Sequence, residues 1–337
     1  MNERYEEWEQ DEDARRALHK ALRELDKAKR KKAELVDAVY QAARDAMASL
    51  TLPAAPKPAK DARRKAGEVA VVLLSDWQLA KTTPSYNTAV CEERIRRLGA
   101  KVRELVAIQR ADHPVREIHL LCLGDLIEGE MVFPGQAHLI DASLYRQVMS
   151  DGPRILAGLV REMAADFEKV VVKGVIGNHG ALGGRARKDY HPETNADAMM
   201  MEVARLVCQD LPNVDWEPVF TPGERRWYAT DTIGSKTFFL FHGDQVKGGF
   251  GGFPWYGFAK RLNGWVRAVA PFDYAVGGHF HTPVRMYLNG IVYWGNGSTE
   301  SDNTYAQEGL AASGEPSQWL LFCHPDRGIT AEYLIRL

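Results

Sequence analysis

The sequence has few cysteines and no long apolar run. Its 337 residues include four cysteines, which are far apart and form no C-x-x-C pair. They predict buried free thiols in a reducing compartment, and neither a disulfide framework nor a zinc knuckle. No apolar run approaches the roughly 18 residues of a membrane span, and the opening MNERYEEWEQ is acidic and has no apolar stretch typical of a signal peptide. We therefore expect a cytoplasmic protein that does not associate with membranes.

A strong charge of one sign is also lacking. The formal net charge is −2. Residues 1–66 carry 16 Lys and Arg and 13 Asp and Glu, which gives +3, whereas residues 67–337 carry 27 and 32, which gives −5. A part with that charge is not expected to bind DNA through broad electrostatic attraction.

The first 67 residues differ in composition from the rest. Residues 1–50 contain no Pro or Gly and are rich in Ala, Glu, Lys and Arg, which predicts a charged helix. Apolar residues at 4-3 spacing between Leu18 and Leu50, interrupted by Lys29 and Lys32, are compatible in equal measure with a short coiled coil that pairs subunits and with a single helix packed on its own domain. Residues 51–67 contain three prolines and a basic cluster and predict a stiff linker, so that the main domain spans residues 68–337.

From residue 68 onward, buried strands alternate with helices. Apolar runs predict strands first at Val69–Leu74, Ile118–Leu123 and Val170–Ile176, with helices over 88–110, 141–167 and 193–210. Further strands are predicted at Thr237–Phe241 and Tyr274–Val276, with a helix over 255–270 between them. Three more strands (Ile291–Trp294, Trp319–Phe322, Ala331–Ile335) close the chain. This order predicts an α/β domain whose later part supplies a second sheet.

Polar residues cluster where five of these strands end. The segments are Ser75-Asp76-Trp77-Gln78, Gly124-Asp125-Leu126-Ile127-Glu128, Gly177-Asn178-His179-Gly180, His242-Gly243-Asp244 and Gly277-Gly278-His279-Phe280-His281. Open α/β sheets bind ligands at the carboxyl ends of strands. Carboxylate, amide oxygen and imidazole suit Mn, Fe, Zn or Mg, and two such ions can bind and activate a phosphoryl group. The pattern therefore predicts a metal site.

The ordered string D-x-[H/Q], G-D-x-x-E, G-N-H, H-G-D, G-H-x-H resembles the calcineurin-like metallophosphoesterases over about residues 68–300, with the repair-exonuclease and phage-type branch closest in pattern. The resemblance implies a two-sheet β-sandwich flanked by helices in four layers, and hydrolysis of a phosphoester by a metal-bridging hydroxide. It implies that Asp125 bridges two divalent ions and that His179 acts as general acid. The implied ligands are Asp76, Gln78, Asp125 and His281 for one ion, and Asp125, Asn178, His242 and His279 for the other.

One position departs from the family pattern, because Gln78 stands where His is usual. An amide oxygen is a harder and weaker donor than imidazole, which favours Mn²⁺ or Mg²⁺ at this position over Zn²⁺, with Fe also compatible. An alternative is that Gln78 only supports neighbouring ligands. Four residues near the motifs are weaker candidates for substrate contacts: Arg185, Arg187, His138 and His191. The aromatic run at 248–258 either stacks nucleobases or forms a buried plug.

Three functions remain open from the sequence. The first is a phosphodiesterase or nuclease acting on nucleic acid, which we favour. The second is a phosphomonoesterase acting on a nucleotide or another small ester; the segments GDLIEGE and GNHGA lack the Arg and Glu typical of protein phosphatases. The third is a non-catalytic nucleic-acid or assembly module that uses the N-terminal helix.

Overall fold

The computed structural model describes residues 57–182, 193–220, 227–247, 253–303 and 314–337. The charged segment 1–50, with its coiled-coil prediction, lies outside these residues. The described part contains two β-sheets with helices on their outer faces, as the sequence and the resemblance predict. None of the helices in these ranges is long and apolar enough to cross a membrane.

The first sheet has six strands in the order β11-β10-β1-β2-β3-β4. The three strands β1, β2 and β3 run parallel, with Val69 opposite Glu117 and Glu117 opposite Lys169, whereas β10 runs antiparallel to β1. The bounds are β1 Val69–Leu74, β2 Glu117–Cys122, β3 Lys169–Gly174, β4 Val214–Trp216, β10 Ser317–His324 and β11 Gly328–Arg336.

The second sheet has five strands in the order β5-β6-β7-β9-β8. The neighbours β6 and β7 run parallel, so their carboxyl ends lie at one edge. The bounds are β5 Tyr228–Ile233, β6 Lys236–Phe241, β7 Tyr274–Gly277, β8 Val284–Leu288 and β9 Ile291–Gly295. We did not predict β4, β5 or β8, which are short or edge strands with mixed polarity.

The helices match the predicted positions closely. They are α1 Thr88–Gln109, α2 Gly152–Asp166, α3 Ala196–Val207 and α4 Trp255–Ala268. The predicted break at Gly152-Pro153 is present: a π-helical turn over Gln147–Asp151 comes before α2, which starts at Gly152 with Pro153 in its first turn. Proline fits there because the first turn of a helix does not need its N–H.

Three apolar clusters separate the layers. Alternate residues of β1 point to opposite sides: Val71 and Leu73 pack between the two sheets, and Val72 and Leu74 pack under α1, α2 and α3. On the other side of the second sheet, Phe239 and other aromatic side chains pack against α4. The four layers are thus helix, sheet, sheet, helix, which confirms the predicted fold class. All four cysteines are buried and free, as predicted.

The described part of the linker lies against the domain. The backbone N–H of Asp61 donates to Glu168, the Arg63 side chain donates to the carbonyl of Arg110, and Lys65 pairs with Asp112 at 3.0 Å. Residues 57–67 therefore contact the end of α1 and the loop that follows it.

Candidate metal centre

The five polar segments follow β1, β2, β3, β6 and β7. The first three strands are parallel neighbours in one sheet, and the last two are parallel neighbours in the other. The chain after β2 also pairs with the chain after β1, because the N–H of Asp76 donates to Gly124 and that of Gln78 donates to Asp125. The sheet topology therefore brings the segments to a common edge, where we predicted the site.

Several predicted ligands have strained backbones. Five of the seven have positive φ, a conformation that side-chain-bearing residues adopt rarely. They are Asp76 (52°), Gln78 (48°), Asp125 (53°), His279 (73°) and His281 (52°). Such residues cost about 1–3 kcal/mol each and cluster at functional sites, where the surrounding structure holds them in place.

Two glycines of the motifs leave room for carboxylates. A Cβ at Gly177 would overlap the carboxylate of Asp125, and a Cβ at Gly278 would overlap that of Asp76. The glycines of G-N-H and G-G-H are therefore needed because the backbone passes directly against an acidic side chain from another strand.

Asp125, His242 and His279 form a compact group. Each offers one ligand atom, and these atoms lie within 4.8 Å of one another. Nδ1 of His242 donates to the carbonyl of Leu123 at 2.8 Å, so the proton on Nδ1 leaves Nε2 facing Oδ2 of Asp125, 3.0 Å away. Oδ1 of Asn178 lies 3.2 Å from the same Nε2. The structure thus brings together the four residues predicted for one ion.

Asp76, Gln78 and His281 form an adjacent group. Oδ1 of Asp76 lies 3.4 Å from Nε2 of His281, and Nε2 of Gln78 lies 3.4 Å from the same atom. Asp76 also accepts the backbone N–H of His279 with both carboxylate oxygens at 3.0 Å, which joins this group to the first. The amide oxygen of Gln78 is buried and has no hydrogen-bond partner among the residues that the structure describes.

The negative field of the carboxylates acts on these imidazoles. Burial opposes the protonated form of His242, but Asp125 and Asp76 raise its pKa to about 10. Burial likewise opposes protonation of His281, and Glu300 and Asp76 raise its pKa to about 10. Burial and the nearby charge of His242 instead lower the pKa of His279 to about 3. The site therefore attracts positive charge while one imidazole stays neutral.

His179 lies beside these groups with a different environment. Its Nδ1 faces Glu128, 3.0 Å from the carbonyl oxygen and 3.3 Å from Oε2, and its backbone N–H donates to Oδ1 of Asp125 at 2.7 Å. Burial lowers the pKa of His179, but Asp125 and the hydrogen bond to Glu128 outweigh it and raise the pKa to about 9. Its side chain is 18% exposed, so it can meet a ligand from solvent while it carries a proton.

Asp197, in the first turn of α3, was missed by the sequence analysis. It is fully buried, and its carboxylate accepts the backbone N–H groups of Asp125 at 2.7 Å, Gly177 at 2.9 Å and Ile127 at 3.2 Å. It therefore holds together the loops after β2 and β3. The only sequence signal was an Asp two residues after Asn195, the residue that caps α3.

Glu300 was also missed. Nδ1 of His281 donates to its Oε1 at 2.7 Å, and Nζ of Lys81 lies 2.5 Å from its Oε2. Because Nδ1 is the donor, Nε2 of His281 is directed towards Asp76 and Gln78. Nothing in the string GNGSTESDN marks Glu300 as a partner of a motif residue.

Of the four weaker candidates for substrate contacts, His138 alone lies within the described residues. His138 is exposed on the 3₁₀ turn Gln136–His138, and its side chain has no hydrogen bond within the described ranges. Arg185, Arg187 and His191 lie outside the described residues. Of the aromatic run, Phe253 and Phe258 are buried, whereas Trp255 and Tyr256 are exposed.

The side chains fit a divalent cation. The buried amide oxygen of Gln78 and the nearby carboxylates and imidazoles are donor types of metal sites. The hydrogen bonds from Nδ1 of His242 and of His281 resemble the contacts that orient metal-binding imidazoles. The ligand assignments of the seven residues, and the number and identity of the ions, stay predictions.

No protein-family model matches the chain, and no curated protein matches it. Solved structures do align with it. Vacuolar protein sorting 29 from Cryptosporidium parvum matches at 16% identity over 80% of this chain and 100% of its own, with a TM-score of 0.39. A predicted phosphoesterase from Streptococcus pneumoniae matches at 12% identity over 80% and 99%, with a TM-score of 0.32.

A structure described as a novel archaeal phosphodiesterase matches at 11% identity over 79% and 99%, with a TM-score of 0.36. At this similarity, these matches identify neither a reaction nor a substrate. The resemblance to the calcineurin-like metallophosphoesterases therefore rests on the five ordered sequence motifs.

Proposed function

We propose that this chain is a metal-dependent phosphoester hydrolase. The observation that carries the proposal is the grouping of Asp125, His242 and His279, with ligand atoms within 4.8 Å of one another, beside the buried and unpartnered oxygen of Gln78. Buried polar atoms are normally paired, so a buried oxygen that has no hydrogen bond among the described residues and lies next to carboxylates and imidazoles supports a cation site.

The residues divide into holding and proton-transfer roles. Asp76, Gln78 and His281 would hold one divalent ion, His242, His279 and Asn178 a second, and Asp125 would contact both. Such ions lower the pKa of water and neutralise phosphoryl charge. Glu128 orients the imidazole of His179 through Nδ1, and Nε2 of His179 then protonates the leaving oxygen.

We further propose that the substrate is a phosphodiester of nucleic acid and that Mn²⁺ is the preferred ion. The exposed side chains of Trp255 and Tyr256, at the end of α4 that lies towards the site, support the nucleic-acid substrate, since nucleobases stack on such rings. The amide oxygen of Gln78, which stands in place of an imidazole, supports Mn²⁺ as the preferred ion.

Hydrolysis of bis-p-nitrophenyl phosphate and p-nitrophenyl phosphate with added Mn²⁺ tests the proposal. We expect the unaltered chain to hydrolyse the diester faster than the monoester. Asp125→Asn should lose both turnover and bound metal. The control Asp210→Asn, which removes a partly exposed partner of Arg161, should change neither turnover nor bound metal. Preference for the monoester would favour a small-molecule phosphatase. Metal-loaded protein that hydrolyses neither ester would contradict the enzyme assignment.

A second variant separates the acid from the ligands. His179→Ala should retain bound metal and lose about 10²–10⁴-fold in rate. Loss of metal in this variant would make His179 a ligand instead.

A further inference from the structure

The N-terminal end of α4 lies beside the candidate metal centre. Phe280, between the predicted ligands His279 and His281, contacts His279 with ring centroids 4.9 Å apart. Phe253 lies 5.3 Å from Phe280, and Trp255 lies 4.7 Å from Phe253. Three successive ring contacts therefore connect the surface at Trp255 to the centre.

Two aromatic side chains at this end of α4 face solvent. Trp255 is 49% exposed and Tyr256 is 85% exposed. The inner side of the helix is apolar and buried through Phe258, Leu262 and Trp265. Tyr256 is thus not part of the core packing that fixes the helix, and about half of the Trp255 side chain faces solvent while its ring also contacts the buried Phe253.

The outer side of α4 is basic. The helix has no acidic residue and carries Lys260, Arg261 and Arg267, all of which are exposed. Tyr256, Lys260 and Arg267 are spaced by four and seven residues, which places them on one helical face. Within the ranges that the structure describes, none of the three cations forms an ion pair, in contrast to Arg96 and Lys101 on α1, which pair with Glu93 and Glu104.

We propose that the exposed side of α4, centred on Tyr256, Lys260 and Arg267 and flanked by Trp255 and Arg261, binds single-stranded nucleic acid and leads it to the metal centre. The inference rests on the proposed function and names its substrate. Unpaired cations contact phosphates and exposed rings stack bases, which is the combination that single-strand binding surfaces use. A duplex has no free base faces for the two rings, so the single strand is the form that fits. Because residues 67–337 have a net charge of −5, nucleic acid is expected to bind at this local basic and aromatic side of α4 and not over a broad positive surface.

An oligonucleotide-binding experiment tests the inference. A labelled single strand of about 16 nucleotides is titrated with the full-length chain, fluorescence anisotropy reports binding, and EDTA prevents cleavage. Tyr256→Ala combined with Trp255→Ala should weaken binding at least about 10-fold, since stacking contributes substantially per base. Tyr145→Ala, which removes a ring that is 71% exposed elsewhere, should bind as the unaltered chain does.

Two further arms separate stacking from charge. An abasic oligonucleotide of equal length should bind more weakly and should not respond to the double aromatic variant. Lys260→Ala with Arg267→Ala should lower the slope of log affinity against log salt by about 1.4, because each single-strand phosphate contact contributes about 0.7. Arg96→Ala with Lys101→Ala is the matched control and should leave the slope unchanged.

The outcomes are distinguishable from those of the proposed function. Ester hydrolysis by a chain that binds no oligonucleotide, or whose α4 variants bind like the unaltered chain, would overturn this inference and leave the hydrolase intact. Equal affinity for abasic and base-containing strands would overturn base stacking. Oligonucleotide binding that depends on α4, in a chain that hydrolyses no ester, would support the binding face while the hydrolase proposal fails.

Discussion

Oδ2 of Asp197 accepts the backbone N–H of Asp125 at 2.7 Å, inside a fully buried site. The same carboxylate accepts the N–H of Gly177, next to Asn178. Burial and the charge of Asp125 raise the pKa of Asp197 to about 6. Burying the Asp197 carboxylate close to that of Asp125 is energetically unfavourable. The three backbone N–H groups that donate to Asp197 offset this cost. Asp197 therefore fixes the positions of two predicted ligands without contacting the metal position itself.

Asp197→Asn tests this positioning. An amide offers one acceptor oxygen, so its NH₂ group would face either the N–H of Ile127 or the N–H groups of Asp125 and Gly177, which share Oδ2. We expect a loss of about 1–3 kcal/mol in unfolding free energy and a 10- to 100-fold weaker Mn²⁺ affinity, roughly as for other supporting residues of metal sites. Urea unfolding and titration calorimetry measure the two. Asp210→Asn, near the end of α3, should leave the metal affinity unchanged and should cost at most about 1 kcal/mol of unfolding free energy through its ion pair with Arg161. Unchanged metal affinity in Asp197→Asn would remove its positioning role.

Glu300 supports a predicted ligand from the opposite side. Its hydrogen bond from Nδ1 directs Nε2 of His281 towards Asp76, and Lys81 balances its charge. Glu300→Ala should weaken Mn²⁺ binding by about 10–100-fold, whereas Glu300→Gln, which still offers an acceptor to Nδ1, should recover part of that loss. The exposed Glu315→Ala serves as control. If Gln is no better than Ala, orientation of the ring is not what Glu300 provides.

The strand ends that carry the motifs were predictable from sequence. β1 was predicted at its observed bounds, because every residue of Val69–Leu74 is apolar and buried. The gathering of Asp76, Asp125 and His242 follows from parallel strands ending at one edge. The ligand assignments of these residues stay predictions.

The residues that support the motifs were not predictable in the same way. Asp197 and Glu300 act through contacts between distant segments, separated by 72 residues in one case and 19 in the other. Neither sits at a strand end or in a spacing that a local pattern detects. The strands β5 and β8 were missed for a related reason: Tyr228–Ile233 and Val284–Leu288 mix polar and apolar residues, and their pairing partners decide their structure.

Gln78 is the position that departs from the family pattern, and it provides a test of metal preference. Gln78→His places an imidazole where the buried amide oxygen now lies, at a φ of 48° that His tolerates better than most residues. Because imidazole suits Zn²⁺ and an amide oxygen suits harder ions, we expect the Zn²⁺ to Mn²⁺ affinity ratio to rise by about 10-fold or more. Competition titration measures this ratio. An unchanged ratio would mean that Gln78 is not a ligand.

A buried ionic cluster away from the site connects the two sheets. Nδ1 of His119 on β2 lies 2.5 Å from Oδ2 of Asp231 on β5, and its Nε2 lies 2.9 Å from Glu117. Lys173 on β3 lies 3.2 Å from the other oxygen of Asp231. Burial lowers the pKa of His119, but the two carboxylates outweigh it and the pKa is raised. His119 is thus a core residue outside the motifs whose two ring nitrogens both have carboxylate partners.

This cluster predicts a pH-dependent contribution to stability. A raised pKa in the folded state means that the folded protein binds the His119 proton more tightly than the unfolded chain does. The resulting stabilisation is complete below the unfolded-state pKa of about 6.5. It is lost as the pH rises through the folded-state pKa. His119→Gln should therefore cost about 3 kcal/mol of unfolding free energy at pH 6 and clearly less at pH 9. Urea unfolding of both proteins at the two pH values gives the difference. The exposed His138→Gln should show almost no cost at either pH. A cost of His119→Gln that stays constant from pH 6 to 9 would show that folding does not raise the pKa of His119.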